Sequence, residues 1–492
     1  MMSEHKAMGM LRAEARQRLR AAKKLWILCS VAVASTASMA MAEAADVAAS
    51  APAAPLEAPA AASSDQPSIS SSIPQLGAFK TMLLDRGFNL QVNYIGEVFG
   101  NPTGGVRQGA LYEQRIELGL DADMEKIAGV KGLTFHVNSY AIAGSSLSTY
   151  NLFNYSAISY IAAHPAFLIF ELWVEQNFFD GRLAVRAGQL AADCEFFISE
   201  LAQLSLNSTF GWPNIFATDF PSGGPAYPYA TPAVRVKFKA TDQLTLLGAV
   251  FNGDPTGAGI TGRPAEFDHF GANFRLRDVP FLIGEAQYAY NQDKDSDGLA
   301  GKVKFGGWYQ FGRLDDERFG TDGLSLADPR SNGQAMKRTG DFGVYGAIDQ
   351  MFWRLPGDDP KAGIGGFARV TGSPSDRNLM DFYADAGVDF IGLWSQRPCD
   401  LFGVSVAYSE LSPSVHALDL DAAAYAGTPL ASRNYELLLE ATYQAQIVPG
   451  WTVQPDFEYV FHPGGGAVNP LNPMSGRIPD AAVFGVRTTV QF

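Results

Sequence analysis

From Phe88 to the C terminus the chain alternates apolar and polar side chains in short segments, each broken by Gly, Pro, Asp or Asn. Phe167 to Leu190 shows the pattern most clearly. Asp180-Gly181 joins two alternating arms, a strong short-range hairpin signal. A two-residue turn there pairs Phe179 with Arg182, Asn177 with Ala184, and Glu175 with Arg186. Residues paired across two strands share a face. One face therefore carries Glu171, Trp173, Glu175, Asn177, Arg182 and Arg186. The other carries Leu168, Phe170, Leu172, Val174, Phe178, Leu183, Val185 and Ala187. The same alternation sets Glu113, Arg115 and Glu117 against Ile116, Leu118 and Leu120, and Arg235, Lys237 and Lys239 against Val234, Val236 and Phe238. It recurs from Lys302 to Phe311, from Tyr435 to Gln444 and from Trp451 to Phe461. The last strand sets Phe484, Val486, Val490 and Phe492 against Arg487, Thr489 and Gln491.

Segments of about ten residues, apolar on one face and charged on the other, are the signature of a transmembrane β-barrel. A soluble sandwich has no reason to put charge on the second face of every strand. No segment after the N terminus approaches the roughly 20 apolar residues of a helical span. Trp353, Trp451, Phe461 and Tyr435 fall toward strand ends, where interfacial aromatic girdles belong. Connections sort by length. Asp180-Gly181, Thr241-Asp242, Asp278-Val279-Pro280 and Pro449-Gly450 read as tight turns. Residues 101–109, 145–165, 191–231, 313–340 and 409–432 read as long loops. Short turns at one end and long loops at the other fit an outer-membrane barrel. Counting the segments gives seventeen, whereas a single-chain bacterial barrel should be even.

The N terminus differs. Arg12, Arg16, Arg18, Arg20, Lys23 and Lys24 precede a short apolar run, Leu25 to Ala37, and Ala40-Met41-Ala42 offers a cleavage site. Residues 1–42 therefore read as a signal peptide for export. Residues 43–73, rich in Ala, Pro and Ser, read as a flexible linker. The segment from Ile73 to Arg86 is expected to form one helix ending at Gly87, opening a barrel domain over residues 74–492.

Composition narrows the function. The 492 residues are 47% hydrophobic and 12% aromatic, with Gly 50, Tyr 18 and Phe 33, which suits a turn-rich β protein. Net charge is -14 and the first 42 residues hold seven basic and two acidic side chains, so the remainder stands at -19. A chain that acidic is a poor partner for nucleic acid or anionic headgroups, leaving the apolar phase of the outer membrane as the lipid partner. Of the three cysteines, Cys29 lies in the signal peptide, and Cys194 and Cys399 suffice for one disulfide or none.

Motifs for chemistry are sparse. Asp293 to Gly298 resembles the start of a calcium loop, but Lys304 stands where a bidentate Glu is needed, so a solvated acidic turn is expected. The histidines have no ligand spacing, and no nucleophile or phosphate-loop motif occurs. The reading is of no enzyme, no metal and no cofactor. What remains is the inward face: Glu113, Arg115, Glu117, Glu171, Trp173, Glu175, Arg186, Arg235, Lys237, Glu285 and Gln287. Each alone is explained as a wall residue satisfied by cross-barrel salt bridges. As a set they describe a hydrophilic passage suited to a neutral polyhydroxy solute. Charged groups hydrogen-bond vicinal hydroxyls, and an aromatic ring covers a sugar's C–H face. A channel for another solute class, and a surface receptor or export barrel using the Ala/Pro/Ser tether, are the competing readings.

The chain also resembles the OprB-type carbohydrate-selective porins. The resemblance runs over residues 74–492. It includes Leu84-Asp85-Arg86-Gly87-Phe88, Asn101-Pro102-Thr103-Gly104-Gly105, Leu118 to Lys126 and Gly132 to His136. It continues through Glu171 to Gly188, Val453 to Tyr459 and His462-Pro463-Gly464-Gly465. The resemblance implies about sixteen strands, inward loops and a charged constriction passing glucose and other small carbohydrates by passive diffusion. Its pore roles carry first onto Glu171, Glu175 and Arg186, then onto Arg115 and Glu113. The loop from Cys194 to Gly224 is expected to fold into the lumen. Homo-oligomerisation, as monomer or trimer, is left open. The tether and Cys194 have no counterpart in the family pattern.

Overall fold

Alternation at period two becomes sixteen strands, because each segment satisfies its backbone only by pairing with its neighbours and its two faces meet different surroundings. The computed structural model describes residues 67–257, 267–293, 296–356, 362–427, 431–473 and 476–492. The strands are β1 Phe88–Thr103, β2 Gly109–Asp123, β3 Leu133–Gly144, β4 Ala166–Phe178, β5 Leu183–Leu190, β6 Thr231–Lys239, β7 Leu244–Asn252 and β8 Pro280–Tyr290. They continue as β9 Gly301–Gly320, β10 Ala335–Arg354, β11 Gly363–Gly372, β12 Met380–Ile391, β13 Leu401–Leu411, β14 Tyr435–Val448, β15 Trp451–Phe461 and β16 Ala481–Gln491. Each pairs with its sequence neighbours and β16 closes on β1. The count of seventeen is thus corrected to sixteen. An even number lets the last strand run antiparallel to the first, which closure of an up-and-down barrel requires.

The two faces are opposite in kind to those of a soluble protein. Val98, Val234, Phe305, Val344 and Phe484 point outward and are exposed around the barrel, while Glu97, Glu171, Arg235 and Arg487 are buried inside it. No helix among the described residues is long and apolar enough to cross a membrane. The apolar outer belt performs that task through strands.

The hairpin keeps its expected register, with Glu175 opposite Arg186 and Asn177 opposite Ala184. Its turn is longer than expected: the strands stop at Phe178 and Leu183, and Arg182 N–H donates to Phe179 O at 3.2 Å. The apolar face changes more. Pairing slips between β3 and β4, where Val137 faces Leu172 but Ser139 faces Ile169. Phe170 and Glu171 together oppose Asn138, a β-bulge, and the Glu171 N–H donates to Asn138 Oδ1 at 2.8 Å. Before the bulge the faces are exchanged. Leu168 and Phe170, expected on the outer surface, are buried inside with Tyr140, Ile142 and Cys194.

Beyond Leu190 the chain leaves the wall and enters the lumen. This frees the upper edge of β4, which the β7–β8 connection fills: Ile169 N–H donates to Phe270 O at 2.8 Å. Gln189 Nε2 closes the same gap, bonding Phe170 O at 2.9 Å and Gly271 O at 2.8 Å. Asp278 to Pro280 therefore ends a long loop and is no tight turn. The loop expected over residues 313–340 is shorter, because β9 and β10 extend through half of it. The acidic turn from Asp293 to Gly298 lies partly, and residues 1–66 wholly, outside the described residues.

Helices are accessory. The expected N-terminal helix is α1, Pro74–Asp85, and Lys126 Nζ holds its Leu84 carbonyl at 3.1 Å. In the β13–β14 loop, α2 spans Pro413–Ala426. Arg318 Nε donates to Asp421 at 2.9 Å and holds its carboxyl below the usual range, while Arg433 NH2 pairs with Asp419 at 2.8 Å. No disulfide joins Cys194 and Cys399.

The seam between the termini depends on a small residue. Gly485 faces Phe99 across it, and a Cβ on Gly485 would sit 2.1 Å from Phe99 Cδ1. Gly485→Val is expected to destabilise closure by about 1–3 kcal/mol, the usual cost of overpacking. The check is the fraction of heat-modifiable folded barrel on electrophoresis, which should fall below wild type.

Candidate functional site

The lumen is occupied by the segment between β5 and β6, residues 191–230, as expected for Cys194 to Gly224. Its Phe197, Phe210, Trp212, Phe216 and Phe220 form an apolar core against Phe281, Trp308, Tyr345 and Phe367 of the wall. A segment so placed must find partners for its own N–H and C=O groups. Inward side chains supply them. Glu171 accepts from Ala191 N at 3.1 Å, where the chain turns inward. Glu285 accepts from Phe197 N at 2.7 Å. Asp349 takes the Glu200 and Leu201 amides at 3.3 and 3.4 Å and also bonds Ser199. Glu440 takes Leu206 N at 2.5 Å and Asn207 N at 3.1 Å. Lys304 Nζ donates to Ile198 O at 2.6 Å, and Gln454 Nε2 to Leu204 O at 2.8 Å. The segment thus follows the wall from β8 to β15 before returning.

Where the segment begins, it completes a charged quartet. Arg186 Nε bonds Glu175 at 2.9 Å and its NH1 bonds Glu195 at 2.9 Å. Arg235 NH2 reaches the same two carboxylates, Glu175 at 2.8 Å and Glu195 at 2.5 Å. Two guanidinium groups from β5 and β6 alternate with one carboxylate from β4 and one from the inward segment. The charges balance, which is what makes so dense a cluster tolerable where water is limited. The Glu175 and Glu195 side chains keep 16% and 13% exposure, so the quartet retains a solvent-facing edge.

Behind it, Arg186 lies 3.7 Å from the Trp173 ring centroid. Trp173 stacks on His136 at 4.7 Å, and His136 Nδ1 bonds Asp121 at 2.6 Å. Trp173 is only 3% exposed and is flanked by His136 from β3 and Arg186 from β5. The ring fixes the guanidinium plane and offers no open face.

Of the residues expected at the site, Glu175, Arg186, Arg235 and Trp173 come together. Glu171 sits one turn of the pleat away and anchors Ala191. Lys237 is next inward on β6, half-buried, and takes part in none of the quartet's ion pairs. Glu113 and Arg115 lie on β2 in a second cluster. Arg115 Cζ is 4.5 Å from the Tyr140 ring and 5.4 Å from Tyr227, with Glu117 at 3.8 Å. Arg487 joins there, bonded to Glu97 at 2.7 Å and to Ser159 at 3.0 Å, over the Tyr160 ring at 4.1 Å. Sequence reasoning missed Glu195. It lies in an irregular segment with no alternation to mark it. Among the described residues no cluster of His, Cys, Asp and Glu side chains is arranged to hold a metal ion.

Glu175→Gln leaves two arginines facing one carboxylate. The reversal potential across a KCl gradient should move toward chloride, with about a threefold rise in relative anion permeability. An unchanged potential would place the quartet away from the ion path.

Comparison with known proteins agrees with the sixteen-strand barrel fold. A family model described as carbohydrate-selective porin, OprB family, matches residues 107–492. Porin B of Pseudomonas aeruginosa is 25% identical over 414 residues, covering 79% of this chain and 86% of that protein. The high pH structure of Pseudomonas putida OprB is 23% identical, with a TM-score of 0.73 over 85% of this chain and 97% of that one, a likeness of fold. These are channels and not enzymes, and they place the barrel in the Gram-negative outer membrane. The chain belongs to the carbohydrate-selective porin family of OprB type.

Proposed function

We propose that small neutral sugars such as glucose are selected at the quartet of Glu175, Arg186, Glu195 and Arg235 as they diffuse passively through the barrel. The observation that carries this reading is the shared pairing, in which each carboxylate is bonded by both guanidinium groups. Such a cluster offers N–H donors and carboxylate acceptors side by side, the complement of vicinal hydroxyls. Because each of the four charges is already paired within the quartet, a sugar gains only the difference when it replaces part of the network. Contacts are then weak enough for it to leave, as conduction requires. A solute of single charge gains less, because the cluster is neutral overall.

Trp173 supports Arg186 and is not itself the sugar platform. Glu171 and Lys237 flank the passage, and Arg115 with Glu113 lines it further round the wall. Residues 1–42 serve as a cleaved export signal and residues 43–73 as a tether.

Liposome swelling with purified protein tests the proposal. Glucose is expected to enter faster than a disaccharide and faster than arginine. Arg186→Ala should reduce the preference for glucose over arginine by roughly fivefold, the net weight of one ordinary hydrogen bond. Entry ordered by solute size alone, and indifferent to Arg186→Ala, would make the quartet a structural part of the wall. No entry of any sugar would overturn the reading.

A further inference from the structure

Arg369 on β11 is fully buried and spends all of its donors. Nε and NH2 bond Asp385 on β12, its direct cross-strand partner, at 3.1 and 2.5 Å. The remaining donors leave the wall. NH1 bonds Phe197 O at 3.0 Å and Gly211 O at 2.9 Å, and NH2 bonds Thr209 O at 3.0 Å. Asp385 is held in turn by Tyr383 OH at 2.6 Å, which accepts from Thr209 Oγ1 at 3.0 Å. A guanidinium needed only to neutralise Asp385 would not have three donors aimed at carbonyls of a different segment. These carbonyls lie on both limbs of the inward segment, which Arg369 therefore ties together.

Phe197 stands two residues after Glu195. Its φ is +59°, a left-handed conformation that a bulky side chain rarely adopts. Its N–H is held by Glu285 and its C=O by Arg369. The ring packs 4.5 Å from Tyr345. The wall thus fixes a sharp turn directly beyond the one quartet member that the wall does not carry.

We infer that Arg369 is a positioning residue for sugar selection: by pinning the carbonyls of Phe197, Thr209 and Gly211 it holds the inward segment so that Glu195 meets Arg186 and Arg235. The inference rests on the quartet being the selecting site. Two variants separate this role from charge neutralisation. Arg369→Lys keeps the charge opposite Asp385 but cannot present donors to three carbonyls in one plane. Arg369→Leu with Asp385→Leu removes both charges together, a replacement that buried pairs often tolerate.

The experiment uses the exported protein after signal cleavage, which removes Cys29, with Cys194→Ala and Cys399→Ala, spin-labelled at Gln203→Cys in the segment and Val404→Cys on the outer face of β13. Pulsed electron resonance reads the distance between labels. Planar-bilayer recording reads ion conductance and the glucose concentration that half-blocks it, and heat-modifiable migration confirms assembly. Wild type is expected to give one narrow distance. Arg369→Lys should broaden it, raise conductance about twofold and raise the half-blocking glucose concentration about tenfold, with the barrel still assembled. The double variant should do the same. A narrow distance and wild-type glucose block in an assembled variant would overturn the positioning role. A broadened distance with unchanged glucose block would overturn the inference by a different route, since the quartet would then not be the selecting site.

Discussion

The constraint on which this structure depends is the satisfaction of backbone groups inside a closed wall. A forty-residue segment between β5 and β6 enters the barrel and carries its own amides and carbonyls with it. Those groups lie away from bulk water, where an unmet donor or acceptor costs about 1–3 kcal/mol. Glu171, Glu285, Asp349 and Glu440 receive amides, while Lys304 and Gln454 donate to carbonyls. Much of the charge on the inner face is therefore scaffolding for the segment, and only part of it faces a passing solute.

The division explains why the quartet stands out. Its members bond to one another and spare their solvent edge, whereas the scaffold residues are consumed by backbone. Glu195 links the two classes, a site residue delivered by the segment that the scaffold holds. The bulge at Phe170 and Glu171 serves the same arrangement, because it turns Leu168 and Phe170 inward as an apolar seat beside the point where the chain enters.

The strands were legible in the sequence because the pleat has a period of two and the barrel's faces meet lipid and lumen. The Glu175–Arg186 pair was legible because the turn at Asp180-Gly181 fixed the register, even though the turn itself widened to four residues. Leu168 and Phe170 were misassigned for a definite reason. In a barrel whose lumen holds an apolar segment, an apolar side chain is at home on either face, so hydrophobicity alone cannot detect a bulge. Three of the quartet's four members were legible. Arg186, Glu175 and Arg235 follow from alternation on adjacent strands, but Glu195 lies in irregular chain whose path is set by partners nearly a hundred residues away or more, such as Glu285 and Asp349. Arg115 and Glu113 had the right orientation and the wrong neighbourhood, since β2 meets a different part of the segment.

The central claim is that the passage binds sugar at a defined site and does not merely admit it by size. Single-channel current through purified protein, titrated with glucose at constant viscosity, tests this most directly. Saturable block with brief, resolvable closures is the predicted result. Current that falls only in proportion to added solute, with no saturation, would contradict it.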